Sequence, residues 1–404
     1  MRVLVLFHTT AGIQEAESHR EQLSGRSRYR YRFTYAWNET LKKAPLLILF
    51  VILSICPLAM PGEDDLVVFN HAYERYVEFY DQGHFSKSLP EARLAYELGK
   101  QLLGAQHKDT ANLAYNYGDN LLRLGKYEEA RSILREALDS YEKLHGKESV
   151  ELISVLMSLG HANANTNRIR SKKSLYKRAF KLAKQQYGED SADFGMFSVR
   201  SGTAMLNQAH GTQGVGHLRT GYDILKASLG GDHVSTGIAA YQLGVYELSR
   251  DRYKAARRYL LEALAIFERP EKPSNKFELS THTFLIRVFE ELGESDLATE
   301  HCLAIGRMTP FESAQDYFPL YKQPPAYPRS ALRRGVEGYV ILEYSVDENG
   351  FVREPKIVKH QGHPDFEVAA FSAVRKFRYA PRFVDGKPVM VKGVQNKFTF
   401  TITR

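Results

Sequence analysis

Gly118, Gly160, Gly202 and Gly244 stand 42 residues apart, and Gly104, Gly146, Gly188 and Gly230 repeat the same interval. A fixed interval of this length marks stacked supersecondary units, each too small to bury its apolar face alone. Helix-period segments joined by a tight turn lie between the two glycine series, clearest in YNYGDNLLRLGKYEEARSILREAL and YQLGVYELSRDRYKAARRYLLEAL. The spacing predicts about six helical pairs over 70–308. Gly118, Gly160, Gly202 and Gly244 let the two helices of a pair approach, and Tyr127 and Tyr253 open the second helix beside the turn. Ala130, Ala256, Ala137 and Ala263 are small where that helix meets its neighbours. Gly83, Phe85 and Ala95 carry the frame back one period, and Gly293 and Ala298 carry it forward. The third unit departs from it with Asn167, Ile169 and Lys172, and the fourth has HGTQGVG at its turn.

These residues resemble the tetratricopeptide repeat family in its 42-residue form. The resemblance implies a mainly α, superhelical solenoid with a concave face suited to a protein or peptide. A spacer role is the alternative, because no residue on the inner face singles out a ligand.

Before the repeats, two lysines, Lys42 and Lys43, precede an uncharged run from Ala44 to Gly62, and Glu63, Asp64 and Asp65 follow it. A basic flank first and an acidic flank second direct the N-terminus to the cytoplasm and the rest across a membrane. Pro57 and Pro61 shorten the reliable helix to the length of a signal-peptide core, so 44–62 is either a membrane anchor or a cleaved signal. The basic segment 1–43 is long for an export leader. Cys56 and Cys302 are the two cysteines, which implies neither a disulfide framework nor a metal site.

Other motifs carry less chemistry. GTQGVG, 211–216, lacks the preceding strand and following Lys-Ser or Lys-Thr of a phosphate loop. His107, His145 and His233 read as solvated loop histidines, and His360 with His363 lacks a third ligand. No nucleophile, base and oxyanion donors assemble, so the expectation is no enzyme, no catalytic residue, no metal and no cofactor.

After the proline-rich linker 309–325 the period changes to two. Val340, Leu342, Tyr344 and Val346 alternate with Tyr339, Ile341, Glu343 and Ser345, as in a strand. DENG reads as an Asn-Gly hairpin turn into FVREPKIVKH, with Pro355 keeping that strand at an edge or in a bulge. Phe366, Ala369, Ala370, Ala373, Val374 and Phe377 form one helix face. Pro364 suits its first turn, and Arg375, Lys376 and Arg378 complement its negative end. Phe398, Phe400 and Ile402 alternate with Lys397, Thr399 and Thr401 in a final strand, giving helix, strand, strand, helix, strand. This piece is the basic one, with 14 Lys or Arg against 8 Asp or Glu over 324–404.

Tyr327-Pro328, GVEGYVILEYSVDENGFV, AVRKFRYAP and DGKPV resemble the C-terminal domain of TonB-family energy transducers, over 326–404. The resemblance implies a small α+β domain in the periplasm that contacts an outer-membrane transporter and passes on the pull of an inner-membrane motor complex. It also implies that the last strand recruits a partner strand. Val389, Val391, Lys392, Val394, Lys397, Phe398, Phe400 and Ile402 are then the partner edge, with Tyr327 and Pro328 beside it. Lys392 and Lys397 either favour an acidic peptide or guard the edge against aggregation. The chain departs from the family in three ways: no histidine lies in 44–62, repeats replace the proline-rich spacer, and KHQG replaces a serine-rich turn. A periplasmic adaptor that binds proteins without transducing energy is therefore the second reading, and export leaves no role for nucleic acid.

Overall fold

The computed structural model describes residues 2–8, 63–166, 168–208, 213–269, 275–308, 317 and 319–403. The expected anchor or signal at 44–62 lies outside them, and so does most of the expected linker. Among the described residues no helix is long and apolar enough to cross a membrane. They divide into two compact units, one ending at Ile224 and one running from Leu225 to the C-terminus together with an N-terminal strand.

The first unit is helical. Its elements are α1 (Glu63–Asp81), α2 (Phe85–Leu103), α3 (Lys108–Arg123), α4 (Tyr127–His145), α5 (Leu152–Asn165), α6 (Ile169–Tyr187), α7 (Ala192–Leu206) and the part up to Ile224 of α8 (Gly214–Leu229). Each pair ends at a glycine of the second series. Gly104, Gly146 and Gly188 sit at φ 88, 83 and 85 with ψ 153, 160 and 139. That region of backbone space is closed to other residues. At the first of these corners Thr110 Oγ1 donates to Gly104 O at 2.8 Å. His107 is not the solvated loop residue its surroundings suggested, because its Nδ1 accepts from Asp109 N at 3.3 Å and caps α3. Ser191 takes the equivalent place on α7, accepting from Phe194 N at 3.1 Å.

The first glycine series works by contact. A β-carbon on Gly118 would lie 2.6 Å from Leu134, and one on Gly160 would lie 2.4 Å from the Tyr176 ring. Ala130 and Ala137 have no exposed surface. In the fourth pair, Gly214 and Gly221 occupy the frame positions of Ala130 and Ala137, and backbones replace side chains at the contact. A β-carbon on Gly214 would meet Gly202 O at 2.2 Å, and one on Gly221 would meet Gly195 O at 2.7 Å. The glycine of GTQGVG is thus a helix-packing residue. Lys172, at the same frame position in the third pair, is 3% exposed, and burial lowers its pKa.

The second unit continues with α9 (Val234–Ser249), α10 (Tyr253–Phe267), α11 (Asn275–Leu292) and α12 (Ser295–Met308). Its corner repeats the earlier one: Thr236 Oγ1 donates to Gly230 O at 2.8 Å, and His233 Nδ1 accepts from Ser235 N at 3.1 Å. A β-carbon on Gly244 would lie 2.7 Å from Leu260, and Ala256 and Ala263 are fully buried. In the last pair Ile286 and Cys302 hold the frame positions of Gly244 and Leu260, and both are fully buried.

The same unit holds the C-terminal sheet. Its elements are β2 (Pro319–Tyr321), α13 (Arg329–Arg334), β3 (Gly338–Val346), β4 (Val352–Gln361), α14 (Asp365–Val374), β5 (Arg378–Tyr379), β6 (Arg382–Val384), β7 (Lys387–Val389) and β8 (Val391–Thr403). With β1 (Arg2–His8) the main sheet runs β1-β8-β3-β4, each neighbouring pair antiparallel. One face of the sheet is covered, with Phe366 of α14 stacked on Phe400 at 4.2 Å and Val340, Leu342 and Phe398 fully buried. Tyr317 is buried in this core and β2 pairs with β5, so part of the segment expected as linker contributes structure to the domain.

The hairpin turn differs from the expected two-residue Asn-Gly form. Gly350 alone within it has a positive φ, 82, and Asp347 Oδ1 accepts from Asn349 N and Phe351 N at 3.0 and 2.8 Å. The aspartate side chain therefore sets a three-residue loop closed by Asp347 N donating to Phe351 O.

The last helical pair contains a buried histidine contact, His282 Nδ1 to His301 Nδ1 at 2.8 Å, with His301 stacked on Phe289. Glu268 Oε1 lies 3.5 Å from His282 Nε2. Burial holds both imidazoles down to about 4, against an ordinary 6.5. They are neutral in the folded protein and take up protons in the unfolded one, so folding stability rises with pH between about 4 and 6.5. Acidification from pH 7 to pH 5 should lower the stability of this unit by a few kcal/mol at most, on the order of 1.4 kcal/mol per pKa unit per group. The His282→Gln/His301→Gln double variant should show a flatter urea midpoint against pH.

Candidate functional site: the outer edge of the last strand

β8 is the strand from which the site is built. Its register against β3 is unbroken from Gly338↔Phe400 to Tyr344↔Val394, so its residues alternate strictly between the two sheet faces. Val394, Phe398 and Phe400 turn toward the helices and are 3%, 0% and 0% exposed. They belong to the core that fixes the strand. Gln395, Lys397 and Thr399 turn to the open face, where Gln395 Nε2 donates to Glu343 at 2.8 Å and the Lys397 ammonium lies 4.5 Å from the Tyr339 ring centre. Val391 is also buried and Lys392 is exposed, and the register against β3 shifts between Val391 and Val394, where Gly393 has φ 76. Val389 ends β7 and is half-buried, as is Ile402, whose N–H donates to Glu337 Oε1 at 2.6 Å.

Tyr327 and Pro328 hold the domain's entry. The Tyr327 ring meets Phe366 and Phe400 edge-on at 5.6 and 5.7 Å, and its hydroxyl donates to Val336 O at 2.6 Å. Pro328 caps α13. The Tyr327 ring thus packs on the covered face of the last strand, away from its outer backbone edge.

The two edges of the sheet are unlike. β4 carries two register irregularities against β3, Pro355, Glu354 at φ 48 and exposed Lys356 and Lys359. These are the devices by which edges avoid pairing. β8 is straight from Lys397 to Thr403, and Arg2–His8 lies along it in unbroken antiparallel register from Arg2↔Thr403 to His8↔Lys397. Between Val391 and Asn396 its outer side carries no strand among the described residues.

Sequence reasoning missed the surroundings of Arg378. Placed by spacing at the solvated end of α14, the residue is instead 1% exposed. Its guanidinium lies 3.6 Å from the Phe351 ring centre, and Nη1 stands 3.1 Å from Glu290 Oε1 as an ion pair without an aligned hydrogen bond. Nη2 donates to Thr299 Oγ1 at 2.6 Å. Cys302 borders it, and burial pushes that thiol up to about 11, which leaves it protonated and unreactive at neutral pH. A basic residue inside the FRYAP strand is the local signal, but nothing in its spacing names partners near residue 300.

A second candidate is a cleft of about 120 Å³ in the first unit, lined by Tyr76, Tyr80, Tyr115, Asp119, Arg123 and His161 among others. Tyr80 donates to the Asp119 carboxylate, which also accepts from Arg123 Nε at 3.2 Å. The lining comes from α1, α3, α5 and α7, the first helices of their pairs, as on the inner face of a repeat array. Among the described residues no three His, Cys, Asp or Glu gather as metal ligands; His360 pairs with Glu367, and His363 stands 3.6 Å from Asp365.

Helical pairs on a 42-residue frame, joined to a small antiparallel sheet, define a repeat protein of the protein-binding class. Residues 323–402 match the family model of the Gram-negative bacterial TonB protein C-terminal, and 72–143, 109–185 and 204–269 match a tetratricopeptide repeat model. The chain thus joins tetratricopeptide repeats to a TonB-type C-terminal domain. It is 41% identical over 64 residues to Protein TonB of Xanthomonas campestris pv. campestris (strain B100), covering 16% of this chain and 29% of that protein. It is 32% identical over 65 residues to Protein TonB of Vibrio cholerae serotype O1, covering 16% and 27%. Among solved structures, the Pseudomonas aeruginosa TonB C-terminal domain matches at 29% identity and TM-score 0.19, over 22% of this chain and 89% of that one. BtubC from P. vanneervenii matches at 18% identity and TM-score 0.41, over 60% and 96%. The chain spans less than a third of the curated relatives it matches.

The residues of β8 separate by role. Phe398→Ala should cost about 3–5 kcal/mol in chemical denaturation, as for a fully buried phenylalanine. Lys392→Ala, on the exposed bulge, should change stability by less than about 0.5 kcal/mol.

Proposed function

We propose that this is an envelope protein in which the outer edge of β8 captures an extended segment of an outer-membrane transporter, while residues 44–62 tie the chain to the inner membrane and its motor complex. The contrast between the two sheet edges carries the reading: β4 is bulged and guarded by Pro355, Lys356 and Lys359, and β8 is straight over Lys397–Thr403. Pairing there would take the outer backbone groups of β8 that Arg2–His8 occupies, and several parallel hydrogen bonds resist a pull better than side-chain contacts alone. Lys397 on the open face favours an acidic residue at the facing position of the captured strand.

Either reading of 44–62 takes Arg2–His8 away from the edge of β8 that it lines here. An anchor holds that strand on the opposite side of a membrane from the C-terminal domain, and a cleaved signal removes it. In both cases the edge is free for a partner strand in the same register. The repeats bind a second protein or peptide at the Tyr76–His161 cleft. A periplasmic adaptor that binds without transducing energy is the second reading, favoured by the lack of histidine in 44–62.

Photo-crosslinking from residue 399 in cells tests both. The expected adduct is an outer-membrane barrel protein, lost when Thr401→Pro removes an edge N–H, and its yield should change on collapse of the proton gradient. An adduct insensitive to the gradient selects the adaptor, and absence of any barrel adduct overturns capture at this edge.

A further inference from the structure

Two independent features join the C-terminal domain to the last helical pair. The first is Arg378, whose partners come from both sides. Glu290 and Thr299 belong to α11 and α12, while the Phe351 ring and the Asn349 carbonyl, 3.4 Å from Nη2, belong to the β3–β4 hairpin. A buried guanidinium without its partners is strongly unfavourable, so the residue is satisfied only while the two parts are docked. The second is Gly306, near the end of α12. A β-carbon there would lie 2.4 Å from Pro381 O and 2.9 Å from the Phe383 ring, so the helix meets the β5–β6 segment at a distance only glycine allows. Arg307 covers the Phe383 ring at 5.6 Å, and the Tyr321 hydroxyl donates to Glu291 at 3.2 Å.

We infer that α11–α12 is a built seat for the C-terminal domain, with Arg378 as the positioning residue that fixes the direction of β8 relative to the end of the repeats. The seat does not depend on any partner. If β8 captures a strand as proposed above, a pull on that strand enters α11–α12 through the Arg378 and Gly306 contacts as well as through the chain connection.

The test uses the full-length chain in nanodiscs, with spin labels at Lys254 of α10 and Val368 of α14 in a Cys56→Ser background, read by pulsed dipolar spectroscopy. Both labelled positions are exposed, and Cys302 is buried. A single narrow distance is expected. Glu290→Ala should replace it with a broad distribution, and so should Gly306→Val, which alters no residue of the C-terminal domain and leaves the tyrosine near-ultraviolet signature of its core intact. A broad distribution in the unaltered chain overturns the seat. A narrow distance that persists in both variants overturns the roles given to these contacts. Neither outcome involves strand capture, so each is separable from the crosslinking result.

Discussion

The guanidinium of Arg378 is the point at which the two architectures of this chain become interdependent. It is buried against Phe351 on the sheet side and against Glu290, Thr299 and Cys302 on the helical side. Burying a cation costs several kcal/mol unless compensated, and here no single element compensates it. The Asp347 turn places Asn349 and Phe351 on one flank, and Cys302 lies 4.0 Å from Nη2 on the other. Tyr379, next in the chain, completes the core, its hydroxyl 2.6 Å from that of Tyr344.

The helical frame follows from a simpler constraint. Glycines in a backbone region closed to other residues end successive pairs, and a second set of glycines lets the helices within a pair touch. Where the fourth unit departs from this pattern, Gly214 and Gly221 bring α8 against the backbone of α7.

Much of this was legible in the sequence. The repeat period, the alternation in β3, the apolar face of α14 and the edge position of β4 all arise from residues close in the chain, where periodicity reports burial directly. The interactions that cross long separations were not legible. Arg378 and Thr299 are 79 residues apart, and a basic residue after a helix reads locally as a dipole complement. Gly306 lies 75 residues before Pro381, and no local pattern marks their contact. His107 and His233 passed for loop residues because histidine is a rare helix cap, although Ser191 at the matching frame position points to the role. In β8, alternation identified a strand but not which of its residues would be spent on the core: Val394, Phe398 and Phe400 hold the edge in place, and the backbone between them is what a partner would meet.

A small sheet on a helical array becomes a coupling device only if one edge stays available while the rest is secured. β4 is closed by its bulges, the covered face is closed by α14, and the joint at Arg378 and Gly306 closes the side toward the repeats. That leaves the outer side of β8, which carries no strand among the described residues over Val391–Asn396 and is lined by Arg2–His8 over Lys397–Thr403. Amide hydrogen exchange of the full-length chain, with and without a peptide from any protein that the crosslinking at residue 399 recovers, tests this most directly. The account predicts new protection confined to alternate amides of Val391–Thr403, with β4 unchanged. Protection along β4, or only within the repeats, would contradict it.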